Sequence, residues 1–506
     1  MRIVRYLAIT AALLGAACGS TADIDSRAAT RGASDGLAVA PATGAAGQQG
    51  AATAAGRSGQ DAVGVAGGGA QSMPTVPGSG STTGAGGGSV AAAPGELPAT
   101  GQGFDEDTIR IGFLTWSDVN RAGTTVGYAV DYGDAEKIAN AVAEDLNARG
   151  GIAGRTVEVV IYDYETADVL GNPAQGDEKA CSRLTEDNPV YAVVAVTGIL
   201  TEGLPACLSD HGIALIANNN IPFPASWWND NQGWFFATAS TVLEKLLPVW
   251  LDRAAANDYF TGWDTAVGGP SPTAPVKVGL LSTSDPAGQI FTAVATEKLA
   301  QLGHPPAVTY EIGSPFDQSG ISSAVLRFRS EGVTHVVPDR LNLLLFPQSA
   351  ESQRYRPRYA VATTHGPILL QTAAPPAQLR GALGVGFYPS LDVDNANDPG
   401  DPSPASERCR EIQRAAGEDP TTRESWNGMA KTCEGFWYLA AAIEAGGLTA
   451  TGVADGTRRL GRLDPVGAFA VSFEGGRPDG LAAVRDFGFI DDCECFRYLN
   501  DANRPL

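Results

Sequence analysis

Histidine and methionine are scarce, with four and three copies in 506 residues, and the histidines, at 211, 304, 335 and 365, fall in separate stretches of the chain. There is no HExxH helix, no paired CxxC and no GxxxxGK[ST] phosphate loop, so zinc hydrolysis and P-loop chemistry have no residues to run on. Cations are short too: 35 Lys and Arg stand against 56 Asp and Glu, a formal net charge of −21. Phosphate binding needs clustered Lys and Arg, and no basic run of useful length occurs, which excludes a nucleic-acid partner. A nucleophile-elbow match, Gly32-Ala33-Ser34-Asp35-Gly36, lies in low-complexity sequence. It lacks the strand before it and the helix after it that strain such a turn. The chain is therefore read as a non-enzyme with no cofactor and no metal.

After the first twenty residues no apolar run is long enough to span a bilayer. What stands at the start is a short export signal: Arg2 and Arg5, the apolar run Leu7 to Leu14, the small residues Gly15-Ala16-Ala17, then Cys18. This resembles a bacterial lipobox, which implies lipidation of Cys18 and a chain anchored to the cell membrane on its extracytoplasmic face. Gly15 departs from the aliphatic residue usual at its position. Residues 19–104, rich in Ala, Gly, Ser and Thr with few aromatics, bury too little to offset their ordering entropy and read as a tether. Seven cysteines leave six once Cys18 is assigned to lipid, an even number for an exported chain. Proximity pairs Cys181 with Cys207, Cys409 with Cys433, and Cys493 with Cys495. Six cysteines admit many connectivities, and a zinc site is the competing reading.

From Ile109 onward, short apolar runs alternate with amphipathic helices, the pattern of parallel α/β construction. Ile109–Leu114 reads as a strand. The helix after it carries Ile138, Val142 and Leu146 at four-residue spacing and ends at Gly150-Gly151. Strands follow at Thr156–Tyr162, Ala192–Thr197 and Ala214–Asn218. After a helix near Leu243–Ala255 and a Gly- and Pro-rich insertion, the alternation restarts at Val276–Leu281. Roughly 400 residues of this pattern suit two doubly wound lobes rather than one core.

The stretch IRIGFLTW…AEKIANAVAEDLNARGGIAGRTVEVVIYDYE, with AVVAVTG, HGIALIANN, VKVGLLSTSDPAGQ, EGVTHVVPD and ESWNGMAKTCEGFWYLAAAIEAGG, resembles the type I periplasmic solute-binding proteins of the leucine/isoleucine/valine class. The resemblance runs from about Thr108 to Tyr498. It implies two lobes joined by a three-stranded hinge near Ser240, Tyr388 and Asp464. Lobe one then takes 105–240 and 389–463, and lobe two takes 241–388 and most of 464–506. It also implies capture of a small polar molecule, an amino acid, amide or small organic acid, for the permease of an ABC importer. The alternative is a module that reports ligand to a membrane signalling partner without transport.

Open α/β sheets bind ligands beyond the carboxyl ends of their strands, which selects the candidate residues. Trp116 and Ser117 follow the first strand, with Trp116 placed either to stack on a ligand or to cover the core. Thr197, Gly198 and Thr201 follow the third, where the family receives a carboxylate on a small-residue loop and a helix N-terminus. Ile199 and Leu200 make this loop more apolar than the family's. Asn219 follows the fourth strand. In the second lobe Asp285 is placed to meet a ligand ammonium or to cap a helix. His365 stands near where amino-acid binders carry an acid, which points to a ligand that is neutral, anionic or differently oriented.

Overall fold

The computed structural model describes residues 100–119, 123, 131–197, 199, 201–400 and 403–506. Cys18 and its signal, the tether through residue 99 with Gly32–Gly36, and Gly198 and Leu200 lie outside them. The first sheet comprises β1 (Thr108–Thr115), β2 (Thr156–Asp163), β3 (Ala192–Ala195), β4 (Ala214–Ala217) and β5 (Phe235–Phe236), all parallel in the order β2-β1-β3-β4-β5. Every residue of β3 and β4 is buried, as parallel strands covered on both faces require. The helix Ala135–Ala148 buries Ile138, Val142 and Leu146, and Asp134 caps it by accepting from the Lys137 N–H. It stops at Gly150 and Gly151, both at positive φ; a Cβ on Gly151 would lie 1.8 Å from the Arg155 carbonyl oxygen, so the turn admits only glycine.

The Gly- and Pro-rich insertion forms a small hairpin, β6 (Trp263–Asp264) with β7 (Gly269–Pro270). Next come β8 (Val278–Thr283), β9 (Val308–Ile312), β10 (His335–Pro338), β11 (Arg358–Ala362) and β12 (Leu383–Gly386), parallel in the order β9-β8-β10-β11-β12. This repeats the order of the first sheet, so the two halves share one winding. Beyond the hairpin β13 (Arg462–Leu463) and β14 (Val471–Ser472), the second sheet gains antiparallel strands. β15 (Ala483–Ile490) and β16 (Cys495–Tyr498) extend it antiparallel, and β17 (Arg504–Pro505) pairs with β15. The tight turn around Asp491-Asp492 makes β16 antiparallel to β15, because a parallel return needs a crossover of a dozen residues or so.

Among the described residues the chain passes between the sheets three times. From β5 it runs through 237–242 into the helix Leu243–Ala256, which packs on β11 and β12. After β12 it returns at Tyr388 to the helices Pro404–Ala415 and Arg423–Gly446 on the first half, and then runs through 464–482 to β15. The passages touch: the Ala237 N–H donates to the Pro478 carbonyl at 3.0 Å and the Phe469 N–H to the Phe387 carbonyl at 3.3 Å. The cysteines meet as Cys181–Cys207, Cys409–Cys433 and Cys493–Cys495, with Cα separations of 6.3, 6.1 and 5.1 Å. Among the described residues no helix is long and apolar enough to cross a membrane.

The helix Arg423–Gly446 is buried along most of its length, and Gly435 lets it approach the first sheet. A Cβ there would lie 2.6 Å from Val194 Cγ1 and 3.1 Å from Asn218 Nδ2. Gly435→Leu is expected to destabilise the fold by about 1–3 kcal/mol through overpacking, seen as a lower urea midpoint. An unchanged midpoint would contradict this packing.

Candidate functional site

The carboxyl ends of both parallel sheets open on one cavity of about 240 Å³. From the first half it is lined by Trp116 beyond β1, Thr197 beyond β3 and Asn219 beyond β4; from the second, by Leu341 beyond β10 and Thr363 beyond β11. These are the ends at which each strand order reverses, where doubly wound sheets leave a crevice. Val169, Ile199, Ile221 and Leu391 from the first half and Phe316 and Leu369 from the second supply its apolar lining. A narrower recess of about 30 Å³ shares Trp116, Tyr132, Thr197 and Lys431 with this space and continues to Phe113, Asn427 and Thr432.

Lys431 is the one charged side chain among the described residues lining either space. It sits mid-helix in Arg423–Gly446 at 5% exposure. Its ammonium has no hydrogen-bond or ion-pair partner among the described residues, and burial alone lowers its pKa from 10.5 to about 7. One turn earlier Asn427 Oδ1 is buried without a donor, as is Asn220 Oδ1 beside the larger space. Tyr132 is pushed up to about 12 by burial and by the Glu424 charge, so it faces the cavity as a neutral phenol at ordinary pH. The site thus offers one buried cation, unused amide oxygens and a long apolar wall.

The family model described as periplasmic binding protein matches residues 108–486. The chain belongs to the periplasmic binding protein family. Solved structures of the same fold include the solute-binding protein of an ABC transporter from Rhodopseudomonas palustris HaA2 in complex with p-hydroxybenzoic acid. It has a TM-score of 0.57 and 14% identity, over 79% of this chain and 98% of that one. A fatty acid ABC transporter substrate-binding protein from Thermomonospora curvata gives 0.56 and 16%, over 81% and 95%. A branched-chain amino acid ABC transporter protein from Thermus thermophilus with bound valine gives 0.55 and 15%, over 79% and 96%. No curated protein matches the chain.

In this periplasmic binding protein Trp116, Thr197 and Asn219 line the larger space, and Ser117 borders the recess. The Thr197 hydroxyl accepts from the Trp116 backbone N–H at 2.9 Å, and Trp116 Nε1 donates to Thr166 Oγ1 at 3.1 Å, which fixes the indole. Ser117 turns to Asp163 through both its N–H and its hydroxyl. Asn219 Oδ1 accepts from the Ile221 N–H at 3.2 Å.

Three expected residues do not reach the cavity. Thr201 directs its N–H and hydroxyl to Asp177 Oδ2, at 2.7 and 2.8 Å, and lines a separate depression beside Cys181 and Cys207. Asp285 caps the helix Pro286–Gln301 by accepting from the Gly288 N–H at 2.7 Å and pairs with Arg340 at 2.9 Å. Burial raises its carboxyl, but Arg340 and that N–H outweigh burial and hold it below the usual range, so its charge is already satisfied. His365 is fully buried: Nδ1 accepts from the Ala362 N–H at 2.8 Å, Nε2 lies 3.1 Å from the Pro338 carbonyl, and the ring packs 5.2 Å from that of Trp250. Burial lowers it to about 4, so it is a neutral core residue. Sequence reasoning missed Lys431, Asn427 and Tyr132. The available signal was in ESWNGMAKTCEGFWYLAAAIEAGG, where Asn427 and Lys431 are four apart and so share one face of the helix.

Because burial holds Lys431 below its unfolded pKa, the unfolded chain binds more protons between pH 7 and 10.5, and the destabilisation is full below about 7 and relieved as pH rises. Lys431→Met is therefore expected to stabilise the unliganded fold by a few kcal/mol at pH 6–7 and by progressively less towards pH 10. Urea unfolding of both proteins across this range checks it; a pH-independent difference would contradict the burial of a bare ammonium.

Proposed function

We propose that the protein is a lipid-anchored extracytoplasmic receptor that captures a small solute between two lobes and hands it to an ABC importer. The observation that carries this is the cavity at the carboxyl ends of two sheets of identical strand order, lined from both halves. Membership of the periplasmic binding protein family supports capture rather than catalysis. In this reading 105–240 with 389–463 closes against 241–388 with 464–506, turning on the three passages near Ser240, Tyr388 and Asp464. Closure excludes water and strengthens each polar contact inside. Related folds bind p-hydroxybenzoic acid, fatty acid and valine, a span of acids that suits a cavity lined by both polar and apolar side chains.

A ligand that binds the folded chain alone raises its stability by about 2.7 kcal/mol at a hundredfold excess over Kd. A screen of amino acids, amides and small organic acids is expected to yield a saturable rise in melting temperature with a change in tryptophan fluorescence. Both should weaken in Trp116→Ala, by up to a few kcal/mol of binding free energy. A screen without a saturable ligand would overturn the reading. The Arg2, Arg5, Leu7–Leu14 and Cys18 pattern supports the anchor. In detergent-phase partitioning the native protein is expected in the detergent and Cys18→Ala in the aqueous phase; equal partitioning would remove the anchor and leave solute capture standing.

A further inference from the structure

Lys431 is 95% buried, lines both the cavity and its recess, and is unpaired among the described residues. A fold that buries an ammonium without a counter-charge carries a standing penalty, which an incoming anion relieves. The neighbouring carboxylates are each held by other groups through at least one oxygen, while Glu434 Oε1 and Asp392 Oδ1 are buried with no hydrogen-bond partner among the described residues. On the same helix Glu434 accepts from the Val466 and Gly467 N–H groups at 3.3 and 3.1 Å. Beyond β12, Asp392 accepts from the Tyr498 hydroxyl at 2.6 Å. Beyond β1 and β2, Asp118 accepts from Thr166 and Asp163 from Ser117. Tyr132 is neutral and Glu424 lies seven residues towards the helix start. No Asp or Glu lines the cavity among the described residues, so a ligand ammonium would meet no counter-charge and would lie near a like one.

We infer, on the basis of the solute-capture reading, that Lys431 is the anion anchor of this cavity and that the solute is an apolar monocarboxylate without an ammonium group. The carboxylate meets the Lys431 ammonium, and the apolar body lies between Ile199 and Ile221 on one side and Phe316 and Leu369 on the other. Because burial brings Lys431 to about 7, a bound carboxylate draws it back up, and binding takes up a proton above neutral pH. Affinity for the acid then falls as pH rises from 7 towards 9.

Isothermal titration calorimetry on the full chain tests this with 4-methylpentanoate, octanoate and benzoate, the amide of each, and leucine. The expected result at pH 6.5 is at least one acid binding about tenfold or more tighter than its amide and than leucine. At pH 8, titrations in two buffers of different ionisation enthalpy should report proton uptake by the wild type. Lys431→Met and Lys431→Gln, each shown folded by its melting transition, should lose about tenfold or more in affinity for the acid and keep their affinity for the amide. The anchor is overturned, with solute capture intact, if leucine or an amide binds as tightly as the acids, or if both variants bind the acid as the wild type does. It is also overturned if acid binding at pH 8 takes up no proton, or if no acid binds while another solute of the broad screen does. If nothing in either set binds, both readings fall.

Discussion

The contact between the helix Arg423–Gly446 and the first sheet sets the positions of everything around the cavity. Gly435 removes the side chain that would hold the helix away from Val194, Phe436 places its ring 6.2 Å from that of Phe113, and Cys433 meets Cys409 on the neighbouring helix. With its lower face locked in this way, the helix cannot rotate to bring Lys431 into solvent. The charge therefore stays where the sheets converge. The same helix presents Glu434 to the N–H groups of Val466 and Gly467, so it also holds the start of the third passage between the sheets.

Two sheets of one strand order, facing each other at their carboxyl ends, produce a site to which neither half contributes a complete wall. Each passage between them is a short length of chain tied to another by a few backbone bonds, as at Ala237 with Pro478. Ion pairs fix what lies on either side: Lys245 meets Asp479 at 3.0 Å and Arg253 meets Asp486 at 2.6 Å. Under the proposed closure, these connecting segments would be the elements to absorb dihedral change.

Much of the fold was legible. Apolar runs such as AVVA and ALIA announce strands covered on both faces, and the four-residue spacing of Ile138, Val142 and Leu146 announces a helix with one buried side. The antiparallel β15 and β16 were not read, because an exposed turn at Asp491-Asp492 says nothing about which edge its flanking strands join. At the site, strand order selects the loops, and Trp116, Thr197 and Asn219 lie on them facing the cavity. Asp285, Thr201 and His365 also lie at strand or helix ends but turn to local partners. Short polar side chains at such ends satisfy nearby backbone or carboxylate groups as readily as a ligand, and sequence spacing does not separate the two.

By itself the sequence determined the alternation of strand and helix, the doubling of one winding and the loops that stand at the sheets' carboxyl ends, because these follow from periodicity and turn chemistry within a few residues. Only the tertiary structure decided which polar groups remain unpaired. Lys431 and Asn427 are ordinary members of a helical face in the sequence. They become a buried cation and an unused acceptor because, among the described residues, the strands, Tyr132 and the loops that cover that face supply no partners. Whether a charge is satisfied depends on every group within a few ångströms of it, and those groups come from segments hundreds of residues apart.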